Sequence, residues 1–359
     1  MSAVKITEGI YSVGIQNPNM RVFDIVMKTD SGTTYNSYLV RGSEKTALIE
    51  TCHEGFFEQY LENIHEVCPL EEIDYIIMNH NEPDHSGSLA KLLELMPNAK
   101  VLASQAGSMY IRNITNRSDL EVQKVKDGET LDLGNRMLTF LFAPNLHWPD
   151  SMFTWVEDAK TLFTCDFLGC HYCEPYTFDY NIAYPKAYDA ALELYYAAIF
   201  GPFGSFVRKG LEKIKALPTA PEFVCTSHGP VLTKECRLPQ VLACYEQWSA
   251  PVVNEVPLIP IFYCSPSWQK RFERESWRQN HRQTARPTIL LSMTWASCTL
   301  SSTVVMPLQW AARPSIVMQF HRYGICWRAS MQSTAPKNRR WYSVPLDGQA
   351  RLSATSRAA

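Results

Sequence analysis

The sequence predicts a layered α/β domain over its first 250 residues, and three observations predict it. Short β-rich segments recur between turn formers, helical patterns alternate with them, and four of the segments end in side chains able to bind a metal. The segments NSYLV, KTALIE, DYIIMNH, KVLAS, RMLTFLFAP, TLFTCD and EFVCTS are rich in β-branched and aromatic residues, as strands are. Between them, Phe56, Phe57, Tyr60, Leu61, Ile64 and Val67 recur at three- and four-residue spacing, as do the apolar positions of KLLELM and ALELYYAAI. That period gives each helix one apolar stripe, so helices are expected to cover the sheets.

The strand ends carry the chemistry. DYIIMN runs into His80, LTFLFAPNL into His147, TLFTC into Asp166 and EFVCTS into His228. Groups at strand ends gather along one edge of a layered sheet, where a rigid scaffold can hold a site. The densest cluster is His80-Asn81-Glu82-Pro83-Asp84-His85, followed by Ser86-Gly87. A turn there can aim imidazole and carboxylate groups at two ions, and a carboxylate such as Asp166 can bridge them. Asp84 has a second reading, as a cap for a helix near Ser88-Leu89-Ala90-Lys91. The pair Cys170 and Cys173 is a lone C-x-x-C without a second pair for structural zinc, and reads as local packing.

Composition bounds the rest. With 359 residues, 46% apolar and 12% aromatic, the chain can bury a core and is neither collagen-like nor wholly disordered. The first residues, MSAVKITEGIYSVGIQ, lack the apolar stretch of a secretory signal, so a cytoplasmic location is expected. The eleven cysteines, odd in number and irregular in spacing, read as reduced thiols.

The small net charge hides a split. Residues 1–265 hold 20 Lys and Arg against 33 Asp and Glu, whereas residues 266–359 hold 14 against 3. The tail favours arginine over lysine 12 to 2, and carries six of the nine tryptophans. It has no sustained apolar period, and so predicts neither helix nor strand. Between Arg286 and Arg313 no residue is charged, but eight Ser/Thr and Pro307 break the stretch, so no membrane span is expected. Nucleic-acid binding through Arg and Trp is a further reading of the tail, and not the one expected.

The first 265 residues resemble the metallo-β-lactamase fold, and more closely the flavodiiron proteins, or A-type flavoproteins. The family's H-x-E-x-D-H motif matches His80, Glu82, Asp84 and His85, and the stretches FDIVMKTDSGTTYNSYLV, APNLHWPDSMFTW, LFTCDFLGCHY and TSHGPVL match as well. The resemblance implies an αββα sandwich over residues 1–250 and two non-haem irons. One iron would take His80, Glu82 and His147, the other Asp84 and His228, with Asp166 bridging. His85 matches a position of variable ligation, and His171 one near the irons, as a ligand or as a hydrogen-bond partner of a ligand. Trp148, next to His147, is a candidate for a wall facing the flavin, or else ordinary core packing. Zinc hydrolases of the wider fold usually carry His where Glu82 stands, and the added carboxylate favours iron. A dinuclear zinc hydrolase is the alternative.

The family reduces O2 to water or NO to nitrous oxide. Electrons come from rubredoxin-like or flavoprotein donors through FMN in a flavodoxin-like domain, in a homodimer or dimer of dimers. That domain should begin in residues 251–265, at VPLIPIFYCS. A glycine- and Ser/Thr-rich loop should then cradle the FMN phosphate. The chain instead reads Pro266-Ser267-Trp268-Gln269-Lys270-Arg271, with no glycine until Gly324. Residues 266–359 therefore read as a degenerate or out-of-frame remnant of a flavodoxin-like domain, and the FMN phosphate loop is not found.

Overall fold

In the computed structural model, residues 2–23 and 27–251 are described in full, together with the backbone of four strands between residues 303 and 343. The chain divides into two compact units, Met1–Pro251 and Val252–Ala359.

Two large sheets dominate the first unit, beside two two-stranded ones, Ile15–Asn17 with Thr33–Tyr35 and Val22–Phe23 with Met27–Lys28. One large sheet orders the strands Val4–Thr7, Ile10–Ser12, Tyr38–Arg41, Thr46–Ile49, Ile73–Met78, Lys100–Ala103 and Val122–Lys124, the last four parallel to one another. The other orders Thr130–Asp132, Met137–Phe142, Met152–Val156, Thr161–Cys165, Phe223–Thr226 and Leu232–Thr233, antiparallel except where Thr161–Cys165 meets Phe223–Thr226. All seven segments expected from the sequence form strands.

Strand periodicity sorts the side chains into layers, because successive residues point to opposite faces. Ala47, Ile49, Tyr75 and Ile77 pack between the sheets with Leu138, Phe140, Met152 and Phe163. Their neighbours Leu48, Ile76 and Met78 face outward and pack with Tyr60, Ile64, Leu89 and Leu92 of the helices Phe57–His65 and Leu89–Leu95. On the second sheet Phe153, Trp155, Leu162 and Val224 pack with Tyr188, Leu192, Val207 and Tyr245 from the helices Pro185–Tyr195, Gly204–Lys215 and Leu238–Trp248. The result is a helix–sheet–sheet–helix sandwich with three buried clusters. The helical run Pro185–Lys215 is long and apolar enough to cross a membrane, yet its Tyr188, Leu192, Phe200, Val207 and Leu211 belong to this core.

In the second unit, Thr303–Met306, Ile316–Tyr323, Cys326–Ser333 and Arg340–Ser343 form an antiparallel sheet in that order. The missing apolar period predicted no strand here. Local β-branched runs such as Thr303-Val304-Val305 favour extended backbone without any period, which is why the pattern did not register. VPLIPIFYCS and the segment Pro266–Arg271 lie outside the described residues.

Candidate metal centre

The donor side chains arrive from strand ends in both sheets. Ile73–Met78 runs into Asn79 and His80, and the chain turns through Glu82 into a single helical turn, Pro83–Ser86, that carries Asp84 and His85. In the other sheet the loop after Met137–Phe142 carries His147, Thr161–Cys165 runs into Asp166, and Phe223–Thr226 leads to His228. Sharp backbone turns make this possible. Glu50 and Cys165 have φ of 60° and 55°, left-handed conformations that cost a non-glycine residue about 1–3 kcal/mol. Gly229 follows His228 at φ 83°, where a Cβ would lie 2.9 Å from the Cys170 carbonyl oxygen.

Asp166 lies at the centre. Its Oδ2 is 3.6 Å from His80 Nε2 and 3.3 Å from His147 Nε2. Its Oδ1 is 3.2 Å from His85 Nε2 and 3.4 Å from His228 Nε2. Glu82 Oε2 completes the first set, 3.4 Å from His80 Nε2 and 3.1 Å from His147 Nε2. Asp84 completes the second, with Oδ2 3.0 Å from His228 Nε2 and Oδ1 3.5 Å from His85 Nε2. One carboxylate thus faces two donor sets, each with two imidazoles and a further carboxylate.

All four imidazoles present Nε2 to the centre, and three are held through the opposite nitrogen. His80 Nδ1 donates to Asp150, 3.2 Å from each oxygen, and His228 Nδ1 donates to the Thr34 carbonyl at 2.6 Å. His85 Nδ1 faces Glu50 Oε2 at 3.5 Å. Such partners fix the ring and its tautomer, as they do around bound metals. Glu50 also accepts from the amides of Asn79 and His80 at 2.7 and 3.1 Å, tying two strand ends together. Tyr195 Oη donates to Asp166 Oδ1 at 3.0 Å.

The charges are interlocked. Burial opposes protonation of His80, but the neighbouring Asp150 and Glu82 carboxylates outweigh it and lift the ring to about 10. Burial likewise works against charge on Asp84 and Asp166, yet the surrounding imidazoles hold both carboxyls below the usual range. Burial pushes the Cys165 thiol well up, and with Glu50 and His85 it offers a further group of buried donor atoms within 4.8 Å of one another.

The donor set fits metal cations. Both oxygens of Asp84, Asp166 Oδ2 and His85 Nε2 are buried without a hydrogen-bond partner. Buried polar atoms without hydrogen bonds are costly, and cations at the two sets would satisfy them. His80, Glu82, His85 and Asp166 offer donor atoms within 4.8 Å of one another, and so do Asp84, His85 and His228. Nitrogen and oxygen donors without thiolate suit hard or borderline ions.

His80, Glu82, Asp84, His85, His147, Asp166 and His228 meet at this centre, with His171 and Trp148 beside it. Asp84 makes no capping bond; Ser88 occupies the N-cap position of the helix Leu89–Leu95. His171 stands behind His228, ring centres 4.7 Å apart, with Nδ1 2.8 Å from Thr33 Oγ1 and Nε2 unpartnered. Trp148 meets His80 edge-on at 5.0 Å and Tyr110 at 6.1 Å. Cys170 and Cys173 are free thiols, one buried and one half-buried. Sequence reasoning missed Glu50, Asp150 and Tyr195. Glu50 carried a legible signal, an acidic residue closing the apolar strand KTALIE, as Asp166 closes TLFTC.

A core of two packed sheets with donors from both at one edge defines a metallo-β-lactamase-like domain with a dinuclear-type donor set. Residues 33–229 match the family described as "ODP family beta lactamase". The chain is 53% identical over 266 residues to a flavo-diiron protein of Clostridium acetobutylicum, covering 74% of this chain and 66% of that one. It is 39% identical over 242 residues to a putative diflavin flavoprotein of Synechocystis, covering 67% of this chain and 40% of that one. Among solved structures, the rubredoxin oxygen:oxidoreductase of Desulfovibrio gigas superposes with a TM-score of 0.67 at 31% identity, covering 81% of this chain and 71% of that one. The chain belongs to the flavodiiron, or A-type flavoprotein, family. It spans 66% of the Clostridium relative's length and 40% of the Synechocystis relative's.

Proposed function

We propose that the protein is an oxidoreductase that reduces O2 to water, NO to nitrous oxide, or both, at a pair of non-haem irons. The observation that carries this is the donor set, in which Asp166 turns one oxygen to His80, Glu82 and His147 and the other to Asp84, His85 and His228. Three carboxylates make it more anionic than the histidine-rich sets of zinc hydrolases, and harder. When bound and reduced, the irons would supply electrons and coordination sites for the diatomic.

The chain's own residues hold that arrangement. Asp150 and the Thr34 carbonyl turn His80 and His228 so that Nε2 faces inward, and Tyr195 pins Asp166 through Oδ1. Glu82 and His147 are the least buried donors, with 11% and 13% of their side chains exposed, and Trp148 walls that side. Electrons would enter there from a separate rubredoxin-like protein or flavoprotein. The Desulfovibrio relative, named for rubredoxin and oxygen, supports the donor class.

The family implies FMN, but the phosphate loop that would hold it is not found in this sequence. The segment Pro266–Arg271 has no glycine for a phosphate cradle, and the described strands of the second unit are antiparallel, whereas a flavodoxin-like domain is a doubly wound parallel sheet. Residues 266–359 are read as a degenerate or out-of-frame remnant of a flavodoxin-like domain, after a diiron domain at 1–250 and, at 251–265, a linker with that domain's expected first strand. An intact flavodoxin-like domain in another frame of the nucleotide sequence would support that reading, and its absence would sink it.

Elemental analysis of protein purified without air tests the centre. A pair of irons per chain is expected, and zinc in their place with little iron would overturn the assignment. O2 and NO consumption with a reduced rubredoxin or flavodoxin then tests the reaction.

A further inference from the structure

A cleft of about 170 Å3 has His171 and Tyr195 among its lining residues. One wall is the segment Met27–Ser31, and the other is a single face of the helix Pro185–Tyr195. On that face Ala187, Ala190, Ala191 and Leu194 follow one another at helical spacing. The adjoining face, with Tyr188 and Leu192, packs into the core. Alanines on this stripe leave room that larger side chains would close.

The cleft grades from solvent to site. Ala187, Ala190 and Leu194 are exposed, whereas His171 and Tyr195 are only 5% and 2% exposed. These two buried residues stand one contact from the donors, Tyr195 through its hydrogen bond to Asp166 and His171 through ring contact with His228. His171 Nε2, buried and without a partner, gives the lining an unsatisfied polar atom. The volume is well above the roughly 10–15 Å3 that one water needs on the same measure, and is enough for a diatomic. Lys28 and Asp30 at the rim have opposite charges, and the buried carboxylates beyond would repel an anion.

We propose that this cleft is the path by which a small uncharged diatomic reaches the His85–His228 half of the site. The proposal rests on the diiron reading, and it separates substrate entry from the Glu82–His147 edge where electrons would arrive.

Two measurements test it on the full chain. Crystals pressurised with xenon, an uncharged probe of similar size, should show xenon beside Ala190 and His171, and Ala190→Phe should abolish it. NO association with the reduced, iron-loaded protein, followed optically, should slow about tenfold in Ala190→Phe and in Ala191→Phe. Iron content should stay at the wild-type level in both. An empty cleft under xenon, or unchanged NO association in both iron-loaded variants, would overturn the path. A wild-type protein that holds iron but takes up no NO or O2 would instead overturn the functional reading, while xenon still decides whether the cleft admits a diatomic-sized guest.

Discussion

The two halves of the site use the same residue types at different depths. Around Glu82 and His147 the donors reach the edge of the fold, whereas Asp84, His85 and His228 are 6%, 2% and 2% exposed. The framing differs as well. His80 is backed by Asp150, and His85 and His228 by Glu50 and the Thr34 carbonyl, while among the described residues His147 Nδ1 has no such partner. The donors of the deep half are themselves buried, so loss of one leaves the others poorly compensated. The shallow half can relax toward solvent. Depth, rather than donor chemistry, should decide how each half responds to change.

The widest break is Asp166→Ala, because it removes the carboxylate shared by both halves. Iron should fall close to zero and reductase activity should vanish; retention of the metal pair would refute the central position of Asp166. Glu82→His acts on the shallow half alone. It exchanges a hard oxygen donor for imidazole, so the ratio of zinc to iron after growth in equal metals should rise, with the fold intact. An unchanged ratio would show that Glu82 does not set metal preference. Glu50→Gln acts on the deep half without touching a donor. Gln keeps an oxygen for the Asn79 and His80 amides but loses the carboxylate facing His85, and metal affinity should drop about 10–100-fold. Titration of the metal-free variant would reveal this, and wild-type affinity would reduce Glu50 to a strand tie.

Much of this arrangement was legible because strand-end donors leave a local trace. An apolar run followed at once by His80, Asp166 or His228 reveals both the strand and the side chain's place at its end. His147 stands five residues beyond its strand and was legible through its neighbours in APNLHWPD. The sandwich itself was less visible from residues alone, since periodicity marks which faces are buried and not which sheet covers which. What stayed hidden acts across long sequence distances. Thr34 holds His228 with a backbone carbonyl, an atom every residue has, so no residue type announces it. Asp150 meets His80 across 70 positions, and Tyr195 meets Asp166 from within an ordinary amphipathic helix. In the tail the sequence signal was compositional, and composition carries no register.

The smallest expected effect sharpens the boundary of the deep half. Thr33 Oγ1 lies 2.8 Å from His171 Nδ1 and 3.4 Å from His228 Nδ1, so it touches one histidine in the donor set and one behind it. Thr33→Val keeps the shape and removes the hydroxyl. His228 retains its bond to the Thr34 carbonyl, and its orientation should survive. His171 loses its one hydrogen bond among the described residues, and a buried nitrogen left unpaired costs about 1–3 kcal/mol. Denaturant unfolding should record that loss of stability while iron content stays at the wild-type level. Should iron fall instead, His171 would belong with the ligands, and the deep half would extend one residue further from Asp166 than its hydrogen bonds imply.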